Sequence, residues 1–292
     1  MSEASIRQLI RDAGTELAAI TDVPRLEAEL LLAHCLKKPR SYLYAWPERT
    51  PEAGQIQQFQ AQVKARRLGQ PVAYLLGERE FMSLCFQVSP ATLIPRPETE
   101  LLVEQSLLRL PEQEAVKVLE LGTGSGAIAL AMAHARPDVL ITATDISVSA
   151  LDMAQRNAGL LGTSNVRFLH SDWFSALLPG ARFALIVSNP PYIADHDPHL
   201  EQGDLCFEPR TALVSGTDGL DAIRTIVSQA GQYLTPGGWL LFEHGASQGA
   251  ACCKLLQQAG FRQVDCISDA AGLDRISLGQ HFPETDLSTT PR

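Results

Sequence analysis

No stretch of the 292-residue sequence reaches the ~18 uninterrupted apolar residues that a transmembrane helix needs. The opening Met1-Ser2-Glu3-Ala4-Ser5 also lacks the charged and then apolar segments of a secretory signal. A cytoplasmic protein with no membrane partner is therefore expected. The six cysteines include no C-x-x-C, and the one close pair, Cys252 and Cys253, is adjacent in sequence, a poor geometry for zinc or for a disulfide. They are expected to be reduced thiols, mostly buried. His196 and His199 form an H-x-x-H without a third ligand nearby, so no metal is assigned.

Basic residues are scarce in the larger part of the chain. Residues 96–292 carry 13 Lys+Arg against 23 Asp+Glu, and their only lysines are Lys117 and Lys254, whereas residues 1–95 carry 11 against 10. A protein that grips duplex DNA or RNA needs a basic face to neutralise phosphates. Direct binding of nucleic acid is thus not expected. The 45% apolar and 20% charged residues are those of an ordinary globular chain, long enough for two domains.

Residues 1–70 read as a small helical domain. Leu26, Leu30, Ala33 and Leu36 share one helical face, and Ile56, Phe59, Val63 and Leu68 mark a second helix between Pro51 and Leu68. Tyr42, Tyr44 and Trp46 interrupt the pattern between them. Residues 71–95 change to short alternating segments, Ala73–Leu76, Glu80–Leu84 and Phe86–Val88, which predict a β-hairpin linker. Pro97 can then start a helix from Glu98 to Leu110, with Arg96 and Glu98 as capping and surface residues.

Residues 96–282 show strands alternating with helices. Val116–Leu121 is a strand followed by Gly122-Thr123-Gly124-Ser125-Gly126 and a small-residue helix from Ala127 to Ala135. Glycines let a backbone approach a ligand, and the helix start favours an anionic group, so this is a nucleotide-type site. The next strand, Val139–Thr144, ends at Asp145, a carboxylate suited to ribose hydroxyls. Val166–His170 leads to Ser171-Asp172-Trp173, an acid and an aromatic fit for an adenine. Phe183–Val187 runs into Ser188-Asn189-Pro190-Pro191-Tyr192, where two prolines remove two N–H donors and leave acceptors. The Asn189 side-chain oxygen and the Pro190 carbonyl can both face one NH2 group, with the Tyr192 ring against a planar substrate. Trp239–Glu243 follows the turn Thr235-Pro236-Gly237-Gly238, and a last hairpin uses Phe261–Ile267 and Arg275–Leu278. Residues 283–292 are expected to be a disordered tail. The acids Asp195, Asp197, Glu201, Asp204 and Glu208 are expected mostly at a solvated surface.

Gly122, Gly124 and Ala127 also satisfy the G-x-G-x-x-A of a nicotinamide dehydrogenase. Hydride transfer has no use for Asn-Pro-Pro-Tyr, whereas S-adenosylmethionine uses the same loop, the same ribose acid and an aromatic for its adenine. A non-enzymatic binding protein is the third alternative, disfavoured by the joint presence of the loop, Asp145 and the tetrapeptide.

The whole chain resembles the HemK/PrmC family. The resemblance rests on Ile94-Pro95-Arg96-Pro97-Glu98-Thr99-Glu100, Ser171-Asp172-Trp173-Phe174, Ser188 to Ile193, Phe207 to Leu213 and Glu243-His244-Gly245, behind the helical N-terminal part. It implies an α/β, Rossmann-like S-adenosylmethionine-dependent methyltransferase domain with a mixed sheet, preceded by the all-helical domain and the hairpin linker. It also implies methylation of the side-chain amide nitrogen of the glutamine in the Gly-Gly-Gln motif of class I peptide chain release factors. A monomer is expected. Carried over residue by residue, Gly122, Thr123, Gly124, Ser125 and Gly126 would hold the methionine part, Asp145 the ribose, and Asp172 and Trp173 the adenine. Asn189 would face both cofactor and substrate, and Pro190, Pro191 and Tyr192 would complete the glutamine site, with Asn189, Pro190 and Tyr192 as the catalytic set. Met82, where an aromatic is expected, departs from the family pattern. An adenine N6 methyltransferase is the alternative within the same chemistry.

Overall fold

The computed structural model describes residues 4–112 and 115–283. The chain divides into two compact units, the first running to Glu78 and adding Glu201–Phe207, the second holding Arg79–Leu200 and the chain from Glu208 onward. The tail from residue 284 lies outside the described residues.

The first unit is helical. It comprises α1 (Ile6–Leu17), α2 (Pro24–Leu36), α3 (Arg40–Ala45), α4 (Ala53–Arg67) and α5 (Val72–Leu76). Ser5 caps α1 by accepting from the Gln8 N–H, Pro24 opens α2, and Glu52 and Gln55 form a reciprocal capping box on α4. The buried face of α2 is Ala28, Leu31, Leu32, Ala33, Cys35 and Leu36, which holds Ala33 and Leu36 of the expected stripe but not Leu26, which is exposed, or Leu30, which is half-buried. The reason is position. α2 packs against all four other helices and so buries most of its circumference, including two carboxylates. Glu27 receives the Arg66 guanidinium at 2.8 and 3.2 Å, and Glu29 receives Arg25, Arg40 and the Tyr44 hydroxyl. Arg66 also reaches Asp204, 3.1 Å away, so this acid is an ion-pair partner rather than a solvated charge. Val72–Leu76 is helical, not a strand of the linker, because Val72, Leu75 and Leu76 pack on the helical core.

The second unit begins within the first strand of a hairpin, β1 (Glu78–Phe81) and β2 (Leu84–Gln87), whose turn places Met82 and Ser83 at positive φ. Phe81 and Phe86 are fully buried, and Asn157 ties Gln87 to the body of the unit by two hydrogen bonds. Then follow α6 (Glu98–Leu107), β3 (Lys117–Leu121), α7 (Ala127–Ala135), β4 (Leu140–Asp145), α8 (Val148–Leu161), β5 (Val166–His170), β6 (Phe183–Ser188), α9 (Asp221–Ala230), β7 (Leu234–Glu243), α10 (Gly249–Gln258), β8 (Arg262–Ser268) and β9 (Asp274–Gln280). The seven-stranded sheet has the order β5-β4-β3-β6-β7-β9-β8, parallel from β5 to β7, with β9 antiparallel to both of its neighbours. The turn expected before Trp239 is absorbed into β7 as an irregularity opposite Phe183–Leu185.

Two apolar layers cover the sheet. Leu130, Met132, Val118 and Leu185 lie in one and Ile223, Ile226, Leu119 and Ile186 in the other. Strands buried on both faces explain the near-continuous apolar runs of β3 and β6. Of the six thiols only Cys35 and Cys252 are fully buried, while Cys85 and Cys206 are exposed, fewer buried than expected. No helix among the described residues is long and apolar enough to cross a membrane.

Candidate active site

The register of the sheet brings the strand ends level. Leu121 pairs with Thr144 on one side and with Ser188 on the other, and Ser188 pairs with Phe242. The next residue on each strand is therefore Gly122, Asp145, Asn189 and Glu243, four chemically distinct groups in one row. β3 is the switch point: the chain moves to β4 and β5 on one side and to β6 and β7 on the other, which opens a crevice at the carboxyl ends.

A cavity of about 390 Å³ lies over that crevice, in the size range of small-molecule sites. Gly122, Thr123, Gly124 and Ser125 border it, as do Asp145, Asp172 and Trp173. Asn189 and Pro191 form part of the same wall. Sequence-distant candidates from four strand ends thus meet in one space.

Gly122, Gly124 and Gly126 all have positive φ (72°, 56° and 84°), a conformation that side chains resist. Gly122 and Gly124 would meet no atom closer than 4.0 Å with a Cβ added, so their backbone faces open space. Gly126 differs. A Cβ there would lie 3.0 Å from Leu130 and 3.1 Å from Ala154, and the residue is buried and absent from the cavity wall. Its lack of a side chain lets α7 and α8 pack closely.

Asp145 is occupied by the loop it faces. Its Oδ2 accepts the Gly124 N–H and its Oδ1 the Ser147 N–H, both at 2.8 Å. Burial raises its pKa, and those N–H donors oppose the shift. Trp173 has φ 47°, an unfavourable conformation for a bulky residue, held by the Ser171 hydroxyl on its carbonyl at 2.8 Å. Glu120, just before the turn, is fully buried and its pKa is pushed up to about 8, chiefly by desolvation. It accepts from the Thr123 hydroxyl at 2.5 Å.

The tetrapeptide splits into two halves. Asn189 and Pro191 face the cavity, but Pro190 is buried and Tyr192 lies outside the lining. Tyr192 donates instead to Glu243 Oε1 at 3.1 Å, and burial together with that carboxylate pushes its pKa up. The ring expected against the substrate is half-buried and packs on the apolar layer of one face of the sheet. Glu243 is 1% exposed, and burial raises its pKa against the hydrogen bonds it accepts. Its Oε2 accepts the Thr99 hydroxyl at 2.6 Å, and Thr99 Oγ1 in turn accepts the Asn189 Nδ2–H at 3.2 Å.

Composition alone gives Thr99, Arg96 and Glu208 no site role. Thr99 and Arg96 border the cavity, together with Pro209, Thr211, Ala212 and Val214. Glu208, expected at a solvated surface, is buried, where it pairs with Arg96 and accepts the Ile94 N–H at 3.3 Å. The signal that could have flagged them is the polar punctuation of Ile94–Glu100 and Phe207–Leu213, which composition alone assigns to caps and surface.

A mixed, doubly wound sheet with a glycine turn and an acid at its switch point, and Asn-Pro-Pro-Tyr on the adjoining strand, defines a Rossmann-like methyltransferase. Residues 8–77 match the family model described as PrmC N-terminal domain, and residues 97–208 match the methyltransferase small domain. The chain is 52% identical over 263 residues to the release factor glutamine methyltransferase of Xylella fastidiosa strain 9a5c, covering 90% of this chain and 95% of that protein. It is 49% identical over 273 residues to the enzyme of the same description from Escherichia coli K12, covering 94% and 98%. Among solved structures, a 16S rRNA methyltransferase of T. thermophilus in complex with AdoMet and guanosine superposes with a TM-score of 0.53 at 22% identity, over 70% of this chain and 49% of that one, a likeness of fold. The chain belongs to the release factor glutamine methyltransferase family.

Proposed function

We propose that this protein methylates the side-chain amide nitrogen of the glutamine in the Gly-Gly-Gln motif of class I release factors, with S-adenosylmethionine as methyl donor. The observation that carries the reading is the position of Asn189: its NH2 is engaged by Thr99, and its residue borders the same cavity as the glycine turn and Asp145.

The cavity fits the donor. Open backbone at Gly122 and Gly124, the Asp145 carboxylate, and Asp172 with Trp173 supply surfaces for its amino acid, ribose and adenine parts. When bound, S-adenosylmethionine supplies a methyl group on a positively charged sulfur.

An amide nitrogen is a poor nucleophile because its lone pair is delocalised into the carbonyl. The Asn189 side-chain oxygen accepts one N–H of the substrate amide, and the backbone carbonyl of the buried Pro190, between the wall residues Asn189 and Pro191, accepts the other, which holds the nitrogen with its lone pair turned toward the donor. Positive charge grows on that nitrogen as it is methylated, and two fixed carbonyl dipoles stabilise that charge more than they stabilise the neutral amide. Pro190 and Pro191, without N–H groups, put no competing donor beside the substrate. No strong base is required, and the proton can leave to water. The helical unit docks the protein substrate; unchanged kinetics on a whole release factor after removal of residues 1–70, in a chain that still folds, would overturn that assignment.

The test is incubation with labelled S-adenosylmethionine and three acceptors: a release factor, its variant with the Gly-Gly-Gln glutamine replaced by alanine, and duplex DNA. Label is expected in the first alone. Label in DNA would replace the reading with adenine methylation.

A further inference from the structure

We propose that Thr99 and Glu243 are positioning residues that hold the Asn189 amide in the one orientation that offers its oxygen, rather than its NH2, to the substrate. This rests on the reading of Asn189 as an acceptor for the substrate amide. An asparagine side chain has nearly the same shape when its amide is turned over, so only its hydrogen-bond partners distinguish the two orientations. Turned over, Asn189 would point N–H groups at the N–H groups of a glutamine, and the contact that aligns the nucleophile would become a repulsion.

Thr99 alone cannot choose between them, because a hydroxyl both donates and accepts. Glu243 makes the choice. As a carboxylate it is acceptor-only, and its two oxygens take the Tyr192 hydroxyl on Oε1 and the Thr99 hydroxyl on Oε2. The single Thr99 proton is committed to that carboxylate at 2.6 Å, and what Thr99 Oγ1 retains is a lone pair. Only an N–H satisfies it, so the Asn189 Nδ2 must turn inward, at 3.2 Å. The register of β6 and β7 and the first turn of α6 build this chain of three, and both Thr99 and Glu243 are buried, at 4% and 1% exposure, where a mismatched polar pair is costly. A buried carboxylate three hydrogen bonds removed from the substrate thereby sets the polarity of the residue that touches it.

Thr99→Val keeps the shape and removes the hydroxyl; Thr99→Ser keeps the hydroxyl. In Thr99→Val, kcat on a release factor is expected to fall ~10- to 100-fold with the S-adenosylmethionine Kd within about twofold, and in Thr99→Ser to return to within about threefold of the wild type. Thr99→Ala, which only removes atoms, gives the same comparison should the valine variant not fold. The second readout needs no substrate. With 15N-asparagine labelling, the Asn189 side-chain NH2, assigned by its loss in Asn189→Asp, is expected to exchange slowly with solvent in the wild type and in Thr99→Ser, and fast in Thr99→Val. Full kcat together with a still-protected Asn189 NH2 in Thr99→Val overturns the proposal. A wild-type chain that leaves the release factor unmethylated overturns the substrate reading instead, and the exchange comparison still decides the orientation of Asn189.

Discussion

Asp145→Asn is the sharpest perturbation of the cofactor half of the site, because it changes one atom and the charge while leaving the shape. The aspartate accepts two backbone N–H groups, one from Gly124 and one from Ser147. An asparagine can keep its oxygen on only one of them. The other N–H then faces an NH2 at hydrogen-bond distance, donor against donor, and a buried donor left unpaired costs about 1–3 kcal/mol. The charge contributes in the opposite sense for folding: burial already raises the Asp145 pKa, so neutralising it recovers part of a desolvation cost. Global stability should therefore change by no more than about 1 kcal/mol, whereas the turn that must hold the ligand loses its anchor and the ribose loses its acceptor. The expected loss in S-adenosylmethionine affinity is about 2–3 kcal/mol, roughly 30- to 150-fold in Kd. Titration calorimetry with the donor, beside urea unfolding of both proteins, separates the two effects. A Kd unchanged within about twofold would refute the assignment of Asp145, and a loss of affinity matched by an equal loss of global stability would refute the claim that the effect is local.

Gly126→Ala should act on folding rather than on binding: the positive φ and contacts of 3.0 and 3.1 Å imply a loss of roughly 2–4 kcal/mol in urea unfolding, and a stable variant with weakened cofactor binding would contradict its packing role. Glu120, with a folded pKa of about 8 against an ordinary 4.5, gives stability that is complete below about 4.5 and is lost as pH rises through about 8. The slope in that window approaches ~1.4 kcal/mol per pH unit, and Glu120→Gln is expected to flatten it when unfolding is followed from about pH 5 to about pH 9. Asn189→Ala should retain S-adenosylmethionine binding by calorimetry while the barrier to methyl transfer rises by ~2–4 kcal/mol in single-turnover assays. Full transfer by that variant would remove Asn189 from the mechanism.

The strands of the second unit and the polar residues that end them were legible in the sequence because a doubly covered sheet writes each strand as an apolar run that stops abruptly. Gly122, Asp145 and Asn189 announce themselves in this way. Pairing is not written locally: the contacts that join Asn189 to Thr99 and Thr99 to Glu243 span 90 and 144 residues, and only the register of β6 with β7 and the placing of α6 make them neighbours. A ring beside Pro-Pro suits a substrate platform, yet the Tyr192 hydroxyl donates to Glu243, a carboxylate that no local pattern reveals. Gly126 looked equivalent to Gly122 and Gly124 in the turn, yet the side chains of Leu130 and Ala154 give it a different task. Val72–Leu76 failed as a strand for the usual reason that tertiary packing outweighs the propensity of a five-residue segment. Glu208 shows the same limit for charge: an acid in an acidic stretch reads as solvated until its partner, Arg96, arrives from 112 residues away.

The central claim is that the acceptor held by Asn189 is a glutamine amide in a release factor. Its most direct test is tandem mass spectrometry of a whole release factor after incubation with this protein and S-adenosylmethionine, reading which atom carries the added methyl. One methyl on the side-chain nitrogen of the Gly-Gly-Gln glutamine is the expected result. A methyl on any other residue, or an unmodified glutamine beside a methylated nucleobase in an added nucleic acid, would contradict it.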